Sequence, residues 1–166
     1  MKKITLIGST FMAVIALSTF FFYQSCTPDP CKDVTCLNGG TCATGTCTCP
    51  TGYEGTDCGT EWRTKFVGSY LTSGSDNSGN TYTNIPTTIA SSSSAETKFV
   101  LTVSGTFTWT CTTTSSTAFT LDATSFSGYS YTGNGTINGN QVALSINETD
   151  NTTGAVNIYT WTAIKQ

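Results

Sequence analysis

The sequence predicts a small disulfide-stapled module followed by an all-β domain, an antiparallel up-and-down β-barrel with a curled β-sandwich as the alternative. Three observations predict this. Six cysteines crowd between Cys31 and Cys58, in a segment too short to bury a hydrophobic core of its own. After Cys58 the chain becomes rich in Thr, Ser, Asn and aromatic residues with sparse charge, a composition of strands rather than helices. Within that stretch apolar and polar residues alternate, the period of a half-buried strand.

The N-terminus carries an export pattern. Lys2 and Lys3 precede an apolar run from Ile4 to Tyr23, the basic and apolar regions of a secretory signal. The run ends at Gln24-Ser25-Cys26, and a cysteine in that place resembles the lipobox of bacterial lipoproteins. Lipoproteins of Bacteroidota-type bacteria resemble this looser form, with acidic residues soon after; here Asp29 and Asp33 come next. The resemblance implies that residues 1–25 are a signal peptide, that Cys26 is the lipidated first residue of the mature chain, and that 26–30 link the lipid to the disulfide module. An uncleaved anchor stays open as an alternative, since about twenty apolar residues can span a bilayer, as does a released, secreted protein. Attachment by two or three acyl chains is stable where one chain alone is marginal. The expected location is the bacterial cell envelope, lipid-anchored to the outer membrane.

The cysteines read C-x4-C-x5-C-x4-C-x-C-x8-C at Cys31, Cys36, Cys42, Cys47, Cys49 and Cys58. An even set in an exported chain implies disulfides, and spacing alone leaves their pairing open. A zinc site is the rival reading, disfavoured because the chain has no histidine. The stretch Cys47-Thr48-Cys49 through Gly52-Tyr53 and Gly55 to Cys58 resembles the ending of the EGF-like family, C-x-C-x2-G-[FY]-x-G-x2-C. That resemblance covers 31–58 and implies the bridges Cys31–Cys42, Cys36–Cys47 and Cys49–Cys58. Each would contribute roughly 2–3 kcal/mol by restricting the unfolded chain. Calcium-binding members carry acidic residues before the first cysteine and Asn or Asp between the third and fourth. Here only Asp29 precedes Cys31, and Ala43-Thr44-Gly45-Thr46 offers neither, so no metal or cofactor is expected. Receptor-binding growth factors of the family keep Arg before the last cysteine, where this chain has Asp57.

Residues 59–64 read as a hinge and 65–166 as the barrel domain. Strands are expected over 66–72, 80–89, 97–103, 106–111, 117–122, 128–137, 141–148 and 155–164. Phe99, Leu101 and Val103 share one face; so do Phe107, Trp109 and Cys111, and Val142, Leu144 and Ile146. Asn138-Gly139-Asn140 is a hairpin signal of the type I′ kind, which needs positive φ at both central residues. Ser104-Gly105 is a weaker one. Gly133 and Gly135 predict a bulge or bend, and Pro86 predicts an edge or bulged strand. Lys65-Phe66-Val67-Gly68-Ser69-Tyr70 and the later Gly133 to Asn140 segment resemble the lipocalin-like domains of Bacteroidota lipoproteins.

Function classes narrow from there. Seven basic against ten acidic residues give −3, and loss of Lys2 and Lys3 on cleavage leaves five against ten, or −5. That balance opposes nucleic-acid binding. Without histidine no Ser–His–Asp or Cys–His arrangement is possible. Glu148 and Asp150, the close carboxylate pair of the β domain, read as flanking a solvated turn, so no catalytic residue is expected. Cys111 reads as a buried small hydrophobe. Asn134, Asn147 and Asn151 match a glycosylation pattern that a bacterial host leaves bare. Tyr129 and Tyr131 on one strand face, with Tyr159 and Trp161 on another, are the ligand-binding candidates; packing in the barrel core is the competing reading. The expected protein is a non-catalytic, membrane-anchored envelope lipoprotein. It would act as a binding or adhesion module for a glycan, lipid or protein ligand, with the EGF-like unit as rigid spacer. A structural envelope component without a soluble ligand is the alternative, and a carbohydrate-active enzyme a further one.

Overall fold

The computed structural model describes residues 28–166; the expected signal peptide and Cys26 lie outside the described residues. Two short hairpins form the N-terminal unit, β1 (Thr41–Ala43) with β2 (Thr46–Thr48) and β3 (Tyr53–Glu54) with β4 (Thr60–Glu61). Cys31–Cys42, Cys36–Cys47 and Cys49–Cys58 are bridged, the pairing the family resemblance implies. Within this unit Cys58 is the fully buried hydrophobic residue, so crosslinks stand where a larger domain would have a core.

Eight further strands make up the second unit: β5 (Gly68–Asp76), β6 (Thr81–Ser91), β7 (Lys98–Val103), β8 (Phe107–Ser115), β9 (Ala118–Phe126), β10 (Tyr129–Asn138), β11 (Gln141–Asp150) and β12 (Val156–Lys165). Each pairs antiparallel with the next, and β12 pairs with β5 to close a barrel. This is the up-and-down barrel, not the sandwich, and it is consistent with a lipocalin-like barrel. Inward positions alternate along every strand, and Phe99, Leu101, Val103, Val142, Leu144 and Ile146 all fall in the core.

Several local expectations are corrected. Phe66 does not begin the first strand. Trp62–Lys65 form a 3-10 helix capped by Phe66, which turns the Phe66 ring under one end of the barrel. There it stacks on Phe99 at 5.2 Å and meets Phe119 edge-on at 5.4 Å, so that end is filled by aromatic side chains. Residues 59–64 are not a free hinge: Thr60 and Glu61 pair with β3, and Trp62 N donates to Gly52 O at 2.8 Å. Arg63 Nη1 donates to the carbonyls of Ser92 and Ala95 in the β6–β7 connection, at 2.5 and 2.6 Å. Lys65 pairs with Glu54 at 2.6 Å. Gly52, at φ 98°, lies so close to the barrel that a Cβ there would come within 2.9 Å of Thr97 Cγ2.

The β10–β11 hairpin forms where expected, but positive φ is found at Gly139 and not at Asn140, the pattern of a type II′ turn. Positive φ at both central residues occurs instead at Ser127-Gly128, between the paired Phe126 and Tyr129, and at Thr44-Gly45, between the paired Ala43 and Thr46. Pro86 sits just past the last β6–β7 pair, Thr87 with Val103. Its missing N–H therefore costs no ladder bond, and β6 itself carries the expected bulge beside it: three steps from Ile85 to Tyr82 oppose two from Thr72 to Gly74 of β5, with Asn84 at φ 54°. A bulge between Tyr131 and Gly133 marks the β9–β10 pair. The β8–β9 ladder runs from Ser115–Ala118 to Cys111–Leu121 and stops, leaving 107–110 and 122–126 unzipped.

Candidate functional site: a cavity in the barrel mouth

The end of the barrel remote from the disulfide unit is hollow. A cavity of about 360 Å³ is lined by Tyr82, Phe107, Trp109, Tyr131, Tyr159 and Trp161, by the aliphatic side chains of Ile85, Val103 and Ile146, and by Ser104 and Glu148. These residues come from the β7–β8 turn and from the halves of β6, β7, β8, β10, β11 and β12 that face the β5–β6, β7–β8, β9–β10 and β11–β12 turns. Phe66 fills the opposite end. The volume is at the small end of ligand pockets, and an apolar wall with few polar groups is their usual chemistry.

The rings form two groups. Tyr159 and Trp161 lie 5.5 Å apart, with Tyr82 at 6.2 and 6.4 Å from them. On the other side Trp109 stands 5.9 Å from Tyr131 and 6.0 Å from Phe107, stacked on the latter. Glu148 sits between the groups: it pairs with Tyr131 in the β10–β11 register, and Tyr159 Oη donates to its Oε1 at 3.4 Å. Burial, then the hydrogen bond and charge of Glu148, push the Tyr131 hydroxyl up to about 12. Burial followed by the same charge raises Tyr159. Trp161 Nε1 is buried with no acceptor, an unsatisfied donor in a residue of the cavity wall.

Of the four expected ligand residues, Tyr131, Tyr159 and Trp161 meet in this cavity. Tyr129 does not. It shares the parity of Tyr131 but lies at the strand's outer end, 39% exposed, beside a second, more open groove with Asn77, Asp150 and Asn157 that Glu148 borders from its other side. The competing reading also has substance, since Tyr131 and Trp161 belong to the core cluster as well as to the cavity wall. Glu148 and Asp150 separate. Asp150 organises its turn, accepting from the Thr152 and Thr153 amides at 2.7 and 3.1 Å, whereas Glu148 lines the cavity and is not a solvated turn residue. Trp109 and Tyr82 were not among the expected ligand residues. A signal for Trp109 was present, because it lies on the apolar Phe107–Cys111 face.

The unzipped parts of β8 and β9 open a second path. A crevice lined by Phe107, Trp109, Thr124, Phe126 and Tyr131 lies along the gap and shares three residues with the main cavity. Cys111, just below the gap, is fully buried and has no disulfide partner among the described residues.

A family model described as EGF-like domain matches residues 26–58, in agreement with the three bridges. No curated protein matches the chain.

Proposed function

We propose that this protein is an exported, non-catalytic binding module, anchored to the cell envelope through lipid on Cys26, whose barrel takes a small, largely apolar ligand. The observation that carries this reading is the aromatic-lined cavity at the barrel end away from the EGF-like unit. A chain tethered by its N-terminus would hold that mouth on the far side of the disulfide unit from the bilayer. The ordered 59–65 junction supports the EGF-like segment as a stiff spacer: Trp62 and Lys65 fasten the junction to Gly52 and Glu54 of that segment, and Arg63 fastens it to the β6–β7 connection of the barrel.

Two measurements test it. Intact-mass analysis of the native membrane fraction is expected to find acyl chains on Cys26; an unmodified cysteine there would remove the anchor. Titration of the mature protein with N-phenyl-1-naphthylamine is expected to raise the probe's fluorescence, and Trp109→Ala to abolish that rise. A protein that gives no signal with this probe and no thermal shift with a panel of small amphiphiles would be the structural component instead.

A further inference from the structure

Glu148 is a carboxylate in an aromatic box with no cation to answer it. Among the described residues no Lys or Arg lines the cavity, and Glu148 joins none of the ion pairs, which are Arg63–Glu61, Lys65–Glu54 and Lys98–Asp122. Its neighbours in the box are two phenols, Tyr131 and Tyr159, the latter donating a long hydrogen bond at 3.4 Å, and neither carries a positive charge. Asp76, the other acid at this end, is in a different position. It accepts from Ser78 N, Asn80 N, Asn80 Nδ2 and Tyr82 Oη at 2.8–3.0 Å and is committed to its turn.

We infer that the cavity is a site for an organic cation, a substituted ammonium with an apolar body, its charge beside Glu148 and its body against the rings of Tyr131, Tyr159 and Trp161. This deepens the binding reading above and rests on it. A neutral ligand filling the mouth would strip water from the cavity side of the half-buried Glu148 carboxylate, which keeps solvent only on the side of the Tyr129 groove, and would supply no counter-charge. An anion would be repelled by the same group. A cation answers both the carboxylate and the surrounding ring faces, whose quadrupoles attract positive charge most when water is excluded. Tertiary and quaternary ammonium centres fit best, because their methyl shells are apolar and match a wall with few hydrogen-bonding groups.

The test compares benzyltrimethylammonium with neopentylbenzene, its neutral carbon isostere, by quenching of tryptophan fluorescence in the mature protein. The cation is expected to bind at least about tenfold more tightly, in the range of a desolvated cation–π and charge contact. Glu148→Gln keeps shape and removes charge, and is expected to bring the ratio close to one. A far-UV melt checks that the variant is folded. Glu96→Gln, in the β6–β7 connection at the opposite end, makes the same change in net charge and is expected to leave the ratio as it was. Equal binding of the two probes, or a preference that survives in Glu148→Gln, overturns the inference. If N-phenyl-1-naphthylamine binds while the ammonium does not, the charge assignment falls and the binding module stands. If none of the three probes binds, both fall.

Discussion

The ring of Phe119 fills the space that any side chain at position 135 would need. The two residues face each other across the β9–β10 pair. A Cβ on Gly135 would lie 2.6 Å from Phe119 Cε1, closer still to Cζ, and 2.8 Å from Ala143 O. Phe119 cannot swing aside freely, because it packs edge-on against Phe99 at 5.1 Å and against Phe66. Gly135→Ala is therefore expected to lower stability by about 1–3 kcal/mol, the usual cost of overpacking. The readout is a lower urea midpoint at unchanged slope. Adding Phe119→Leu should recover part of the loss; a single variant as stable as the parent would show that the floor has slack.

Arg63 is expected to hold the two units together. Its guanidinium reaches the Ser92 and Ala95 carbonyls, a longer contact to Lys98 O at 3.2 Å, and Glu61 through Nε at 2.6 Å. Arg63→Ala would leave these acceptors at a partly buried junction, at a cost of about 1.5–3 kcal/mol for hydrogen bonds to a charged group. Arg63→Lys should not restore it, since an ammonium lacks the fork that spans several acceptors. Proteolysis within 92–97 is expected to accelerate in both variants. Unchanged cleavage in Arg63→Ala would mean that the junction is held by other contacts.

The strands were legible because inward residues of a barrel repeat with period two, as Val142, Leu144 and Ile146 do. Glu148 continues that parity. Its charge disguised it, because a carboxylate at the end of an apolar stripe reads as the start of a solvated turn. Only closure of the barrel, which depends on the distant β12–β5 pairing, places it indoors. Tyr129 fails for the converse reason: parity puts it on the inner face, but the strand ends before there is an interior for it to face. Trp109 lay on a recognisable apolar face, yet its position opposite Tyr159 and Trp161 depends on strands far apart in sequence. The 59–64 segment looked like a hinge because its composition is local information. The carbonyls that bind Arg63 belong to residues some thirty positions later.

Cys111 is expected to be inert in the folded protein. It is fully buried, and burial, with a smaller contribution from the negative charge of Asp122, pushes its thiol up to about 12. The nucleophilic thiolate is therefore scarce at neutral pH. A disulfide-exchange reagent should modify Cys111 only at the rate of global unfolding. Prompt modification in native buffer would show that the gap between β8 and β9 opens more widely than the structure does. Cys111→Ser should destabilise more than Cys111→Ala, because it buries a hydroxyl in an apolar layer.

Acid should weaken the barrel through Asp122 and Asp76. Partial burial pushes the Asp122 carboxyl up, but hydrogen bonds from Lys98 and Thr112 and the charge of Lys98 outweigh it, and the group lies below its ordinary value. Asp76 is held low first by the Asn80 side chain, then by the Asn80 amide, Tyr82 and Ser78 against a smaller desolvation penalty. A carboxyl lowered by folding binds fewer protons in the folded state than in the unfolded one. Its stabilisation is present above the unfolded value, about 3.9 for Asp, and is lost as pH falls through the lower folded value. Melting temperature is thus expected to change little from about pH 7 to 5 on account of these groups and to fall below about pH 4. Asp122→Asn should be less stable at neutral pH and lose less on acidification. Because Asp122 comes directly after the last β8–β9 pair, Cys111 with Leu121, the same variant should speed amide exchange at Leu121. Parallel acid curves for parent and variant, with exchange unchanged, would remove Asp122 as the clasp that stops the seam from running further down the barrel.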